Sequence, residues 1–189
     1  MKASAASTGA LVERVAELVV RAGIRVGVAE SLTGGMLSSQ LARGSDTADW
    51  FRGAVTAYAP EVKFDVLGVD PGPVNSARCA RQMAQGAVRL LGAEVAVAAT
   101  GVGGPGPDEG VPAGTVFLAC ADWTGTVMSN EHSFDGPPEL VVEAATAACL
   151  ELLLAALDPS TTELALWRDC RREGVGPQIK EQTEPSSGS

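Results

Sequence analysis

A chain of 189 residues with 46% apolar composition is long enough for one domain with a sizeable core and short for two, and it is no disordered polymer. The formal net charge of −9 argues against nucleic acid and anionic membrane as partners, since both would repel it. No stretch approaches the ~18 apolar residues of a membrane span, and residues 1–10 hold no apolar leader run, so a cytoplasmic protein is expected.

The first helix is predicted over residues 8–22, where Leu11, Val15, Leu18, Val19 and Ala22 recur at helical spacing and Gly23 is placed to close the turn. Residues 24–29 form a short apolar run that reads as a buried strand. Helical character resumes over 33–41, and 53–58 reads as a second strand. In residues 76–91, Ala80, Met83, Ala84, Ala87, Val88 and Leu91 form one stripe, with Ser76 as N-cap and Gly92 as C′ residue. Residues 94–100 read as a third strand, followed by the turn-rich GVGGPGPDEGVPAG. Two further strands, 115–121 and 126–134, are separated by residues 122–125 and predict an antiparallel hairpin.

A last long helix begins near Pro138, with Val141, Ala145, Ala148 and Leu152 on one face. Residues 159–189 turn polar and are expected to be a flexible tail with one helical turn near 164–167. Helix, strand, helix, strand, helix, three strands and a helix imply a three-layer α/β/α sandwich around a mixed β-sheet, with residues 1–158 as one domain.

Residue counts narrow the chemistry. Cys79, Cys120, Cys149 and Cys170 lie far apart with no C-x-x-C pair, so they read as reduced thiols. The one histidine, His132, falls in a predicted strand, which excludes a zinc site of several histidines and leaves a Ser-His-Asp triad dependent on that residue alone. No metal and no other cofactor is expected, and a base must be sought elsewhere.

Lys63 is the one lysine within the predicted domain, Lys2 and Lys180 lying in the termini, and the one tyrosine, Tyr58, precedes it by five residues. Ser31 follows the first strand and precedes Thr33-Gly34-Gly35 and a helix. That is a strand's carboxyl end facing helix-start N–H groups, where α/β sheets place sites and where an oxyanion can be held. A desolvated lysine is the base such a serine would need in the absence of histidine. On spacing alone the alternatives stay open. Ser31 reads first as a helix cap, Lys63 as a surface lysine, Tyr58 as a strand-end residue and the glycines of 101–106 as an ordinary loop.

Five blocks taken together resemble the CinA carboxy-terminal family. AESLTGG (29–35) resembles its AES-x-TGG signature, and FRGAVTAYAPEVK (51–63) its F-x-GG-x-x-x-Y-s-n-e-x-K segment. TGVGGPGP (100–107) is similar to its TGIAGPGG loop, PAGTVFLA (112–119) to its PVGTV strand, and FDG (134–136) to a late F-x-G. The blocks stand in family order across about residues 10–157.

The family includes amidohydrolases that convert nicotinamide mononucleotide and water to nicotinate mononucleotide and ammonia. Longer members add a domain related to molybdopterin-binding proteins, and this chain resembles the standalone form. The resemblance implies Ser31 as nucleophile, Lys63 as base and Tyr58 as the residue that orients or assists them. It implies substrate contacts at Glu30, Thr33, Gly34, Gly35, Arg52, Thr100, Gly101, Gly103 and Gly104, with backbone N–H groups of 33–35 as the oxyanion hole. The implied partner is a small molecule, a pyridine mononucleotide, and a homo-oligomer stays open. The alternative is a non-catalytic member that keeps the pocket as a nucleotide-binding or assembly module.

Departures from the family pattern fall at Leu32, Ala59, Pro60 and Val111, and Gly136-Pro137-Pro138 replaces G-D-R, so the late arginine is absent. Its loss is expected to weaken phosphate capture, with Arg52 as the in-motif cation left to compensate.

Overall fold

The first helix shows how directly the local sequence sets an element. In a computed structural model of the chain, which describes residues 7–125 and 127–158, α1 (Thr8–Ala22) opens at Ser7, whose hydroxyl accepts the Ala10 N–H at 3.3 Å. It closes at Gly23, whose left-handed backbone (φ 64°) carries its N–H back to the carbonyls of Val19 and Val20. The central long helix, α5 (Ala77–Leu91), repeats this design. The Ser76 hydroxyl accepts the Cys79 N–H at 3.2 Å, and Gly92 closes the helix in the left-handed region.

Between and after them lie β1 (Val26–Glu30), α2 (Met36–Leu41), α3 (Thr47–Trp50), β2 (Phe51–Thr56), α4 (Pro60–Leu67), β3 (Val95–Gly101), β4 (Thr115–Asp122), β5 (Val127–Ser133) and α6 (Pro138–Ala156). The sheet order is β2-β1-β3-β4-β5. β1 runs parallel to both neighbours, while β4 and β5 add as an antiparallel hairpin. The fold is α/β, with a five-stranded mixed sheet flanked by helices.

Alternation along the strands divides the core in two. Val26, Val28, Val97, Ala99, Leu118 and Cys120 pack with α1, α2 and α6, whereas Ala29, Ala96, Ala98, Phe117 and Ala119 pack with α4 and α5. The second face is largely alanine, and small side chains let α5 approach closely. Gly86 marks the limit: a Cβ there would lie 2.1 Å from the Leu67 carbonyl oxygen at the end of α4.

Several predicted boundaries move. β1 occupies 26–30 instead of 24–29, and β2 occupies 51–56 instead of 53–58, because Ala59 and Pro60 open a helix and draw 57–59 into the turn. α2 begins at Met36, since residues 31–34 form turns. α3 and α4 are additional to the predicted order; at four and eight residues they are too short to show a period. His132 does lie in a strand, β5, stacked on Phe134 with ring centroids 5.3 Å apart. The expected tail, its turn near 164–167 and Cys170 lie outside the described residues. Among the described residues no helix is long and apolar enough to cross a membrane.

Candidate active site

β1 and β3 run side by side in the same direction, so the chain leaves both at one edge of the sheet. The chain leaving β1 turns to α2 on one face and the chain leaving its parallel neighbour β2 turns to α4 on the other, which opens a crevice outside the strand ends. A cavity of about 500 Å³ lies there, and Ser31, Lys63, Asn75, Asp108 and Pro138 are among the residues that line it.

Ser31 is buried and its backbone is pinned. Its N–H donates to the Ala99 carbonyl at 3.0 Å, tying it to β3, and its own carbonyl accepts the Gly34 N–H at 3.1 Å. Its hydroxyl faces the cavity lining without a hydrogen-bond partner among the described residues. A fixed backbone with an uncommitted hydroxyl is the arrangement a nucleophile requires.

Glu30, implied as a substrate contact, is instead buried away from the cavity. Its Oε2 accepts the N–H groups of Gly35 at 3.0 Å and Leu37 at 3.1 Å, and its Oε1 accepts that of Ser38 at 2.9 Å. The side chain is a cap for α2, whose opening residue Gly35 has φ 102° and no capping side chain of its own. This corrects the implied oxyanion hole as well. Gly34 and Gly35 have their N–H groups committed to Ser31 and Glu30, so of the 33–35 set only Thr33 keeps a free N–H, joined by Leu32. The Thr33 hydroxyl is buried with no partner.

Lys63 sits in α4, opened by Pro60 at its first turn, and is only 1% exposed. Its Nζ donates to the backbone carbonyl of Tyr58 at 3.0 Å, and no hydrogen bond joins it to Ser31. Burial pushes the amine below its ordinary value, against weaker opposing pulls from Cys79, Glu109 and Glu61, in that order. Burial also pushes the Cys79 thiol up to about 11, with Lys63 acting the other way. The Tyr58 ring is 74% exposed at the cavity rim, so its contact with the lysine runs through the carbonyl and not the phenol.

Of the second loop, Gly101, Gly103 and Gly104 line the cavity, as does Gly106. Gly101 admits no side chain: with φ 148°, a Cβ would lie 2.4 Å from the Thr115 carbonyl oxygen on β4. The Gly103 and Gly104 N–H groups have no partner among the described residues. Thr100 does not line the cavity. Its buried hydroxyl donates to the Val74 carbonyl at 2.9 Å and so ties β3 to the segment before α5.

Arg52 is misplaced as a substrate contact. It stands at the amino end of β2, beside the Val26/Gly27 irregularity, and its Nε donates to the Leu91 carbonyl at 3.0 Å. The strands are parallel, so that end of β2 is the edge of the sheet opposite Ser31.

Sequence reasoning missed an adjacent acidic pair, of which Asp108 lines the cavity. Glu109, at φ 50°, accepts the N–H groups of Val74 at 3.2 Å and Asn75 at 2.8 Å, and Asp108 accepts from Asn75 Nδ2 at 3.0 Å. The signal was present as two adjacent carboxylates in a glycine-rich turn, but their partners lie over thirty residues upstream. Among the departures from the family pattern, Leu32, Ala59, Pro60 and Pro138 all line the cavity.

Comparisons with known proteins agree with one another. The family model described as CinA C-terminal domain matches residues 8–157. The chain is 42% identical over 136 residues to a CinA-like protein of Frankia casuarinae, covering 69% of this chain and 31% of that protein. With a CinA-like protein of Mycobacterium sp. (strain JLS) it shares 40% identity over 157 residues, 79% of this chain and 37% of the relative. The chain thus spans about a third of the length of the curated relatives it matches. Among solved structures, it matches the competence damage-inducible protein A of Klebsiella pneumoniae with a TM-score of 0.77 at 34% identity, covering 80% of this chain and 98% of that one. It matches the competence/damage inducible protein CihA of Agrobacterium tumefaciens with a TM-score of 0.75 at 30% identity, covering 82% and 98%.

Proposed function

We propose that this chain, which belongs to the CinA C-terminal domain family, hydrolyses the carboxamide of nicotinamide mononucleotide to nicotinate mononucleotide and ammonia. The observation that carries the proposal is the company of Ser31 and Lys63 in one cavity, the hydroxyl uncommitted and the amine desolvated. We take the helices on the two sheet faces as the outer layers of a three-layer α/β/α sandwich, with the site at its strand-end edge.

In the proposed reaction Lys63 acts as the neutral amine. One of its N–H groups stays on the Tyr58 carbonyl, which leaves the nitrogen lone pair available to the Ser31 hydroxyl in the same cavity. Oγ attacks the carboxamide carbon as Lys63 takes the proton, and the oxyanion is held by the Leu32 and Thr33 N–H groups or by Gly103 and Gly104 across the cavity. The lysine ammonium returns its proton to the departing nitrogen, and ammonia leaves an acyl-serine ester. Water, deprotonated by the neutral lysine, then attacks the ester, and the lysine ammonium returns that proton to the departing Ser31 Oγ as the carboxylic acid is released.

The exposed Tyr58 ring and the unclosed Ser31–Lys63 contact favour a second reading, a nucleotide-binding module without turnover. Ammonia release from nicotinamide mononucleotide by the purified chain separates the two, with Ser31→Ala as control. The amidase reading expects release by the wild type and none above background by the variant, with ligand binding retained in both. Binding by the wild type without any release would establish the module instead.

A further inference from the structure

The cavity's charge carries a statement about the substrate. Its described lining holds two charged side chains, Lys63 and Asp108, and no arginine. If Lys63 serves as a base it is neutral in the competent state, which leaves Asp108 as the lining's net charge. The described arginines are engaged elsewhere where they are fixed at all: Arg25 pairs with Glu94, Arg78 with Asp70, and Arg52 and Arg89 hold the carbonyls of Leu91 and Leu67.

A helix start is the other common seat for a phosphate, through free N–H groups and the positive end of the dipole. Two helices present their first turns to the cavity, α4 through Pro60 and α6 through Pro138, and both are unsuited to an anion. In α6, Pro137 and Pro138 lack N–H groups, the N–H groups of Leu140 and Val141 both donate to the Pro137 carbonyl, and Glu139 adds a negative charge to the turn. In α4 the first helical residue is again proline, followed by Glu61. Ahead of α5, the N–H groups of Val74 and Asn75 are held by Glu109. The N–H groups of Leu32 and Thr33, or of Gly103 and Gly104, remain, whichever pair does not hold the oxyanion, but the Asp108 carboxylate lines the same cavity. A phosphate monoester carries about −1.5 to −2 charge at pH 7 and would meet that carboxylate with no arginine of the described lining in return.

We infer, resting on the carboxamide chemistry proposed above, that the site takes a cationic pyridinium nucleoside carboxamide and gains nothing from a 5′-phosphate. The ribosyl pyridinium bears one positive charge, which Asp108 favours, and a phosphate appended to it would point to solvent or oppose Asp108.

The test compares nicotinamide riboside with nicotinamide mononucleotide on the full chain. Equilibrium binding to Ser31→Ala is read by calorimetry, separately from ammonia release by the wild type. The riboside is expected to bind at least as tightly as the mononucleotide, and its kcat/KM to be equal or higher. In Asp108→Asn, which keeps an oxygen for Asn75, the mononucleotide should gain on the order of threefold to tenfold in affinity relative to the riboside, from loss of one nearby like charge. A mononucleotide preference of tenfold or more in binding, or no binding of the riboside, overturns the inference and leaves the amidase proposal standing. Binding with the expected preference but no ammonia from either ligand sustains the inference and ends the amidase proposal.

Discussion

Glu30→Gln removes one negative charge and almost no volume, yet it should be among the most damaging single changes in this domain. The side chain is fully buried, and its two oxygens accept three backbone N–H groups of 35–38. A glutamine has one oxygen. Placed at the Oε2 position it retains Gly35 and Leu37 as weaker neutral bonds, but its amide NH₂ then faces the Ser38 N–H, donor against donor. Losing a charge-assisted bond costs about 1.5–3 kcal/mol and stranding a buried donor about 1–3 more, so a net loss of about 3–5 kcal/mol is expected. Set against a total stability of about 5–15 kcal/mol, that is a large fraction.

Urea unfolding is the direct assay. With a slope of about 2 kcal/mol per molar, the midpoint should fall by roughly 1.5–2.5 M, and Tm by about 10 °C or more. Native-state hydrogen exchange adds a local readout, because the Leu37 and Ser38 amides should lose protection before the centre of the sheet does. A variant within about 1 kcal/mol of wild type, with Ser38 still protected, would refute the view that this carboxylate holds α2 in place.

Lys63→Met should abolish amidase activity yet raise stability at neutral pH by on the order of 1 kcal/mol, or about 2–4 °C in Tm, since it removes a buried ammonium. The sign follows from burial holding Lys63 below its ordinary ~10.4. Between the folded and unfolded titration points the unfolded chain binds more protons, so wild-type stability climbs with pH through that window and the variant's advantage fades. The wild-type rate should climb in the same direction; a flat profile for chemistry-limited turnover, or a less stable variant, would count against a desolvated base. Gly86→Ala should cost about 3 kcal/mol, because a Cβ at 2.1 Å from the Leu67 oxygen forces α4 and α5 apart. A thermal melt within 2 °C of wild type would contradict that contact.

The long helices are legible in the sequence because each carries a stripe long enough to show a period, and in α1 and α5 the closing Gly23 and the Ser76–Gly92 pair mark the ends as well. Ser31, Lys63 and Tyr58 stand out as site candidates only through the motif blocks taken together, because on spacing alone each has an ordinary structural role. What escaped has a common cause. Glu30 looked like part of a motif, but its function depends on the turn that folds 35–38 back over it. Arg52 lies in a motif block with Tyr58 and Lys63, yet a parallel strand places its two ends at opposite edges of the sheet. Asp108 and Glu109 act on Val74 and Asn75, a pairing that no local pattern announces. Local chemistry is written in the sequence; which end of a strand faces the cavity is written in the topology.

The carboxylates around the site explain how a lysine so close to acidic residues can be lowered. Glu109 and Glu61 both pull its proton affinity up, but neither forms an ion pair with Nζ, whose hydrogen bond runs to a neutral carbonyl. Glu109 is occupied with two backbone N–H groups, which disperse its charge and hold it in place. Glu30, next to Ser31, likewise accepts hydrogen bonds from backbone alone. Had either carboxylate closed on Nζ, its charge would favour the ammonium and oppose the desolvation directly. Directing the acids onto helix starts and loop amides therefore serves two ends. It satisfies donors that would otherwise be stranded at the strand ends, and it keeps desolvation the dominant influence on Lys63.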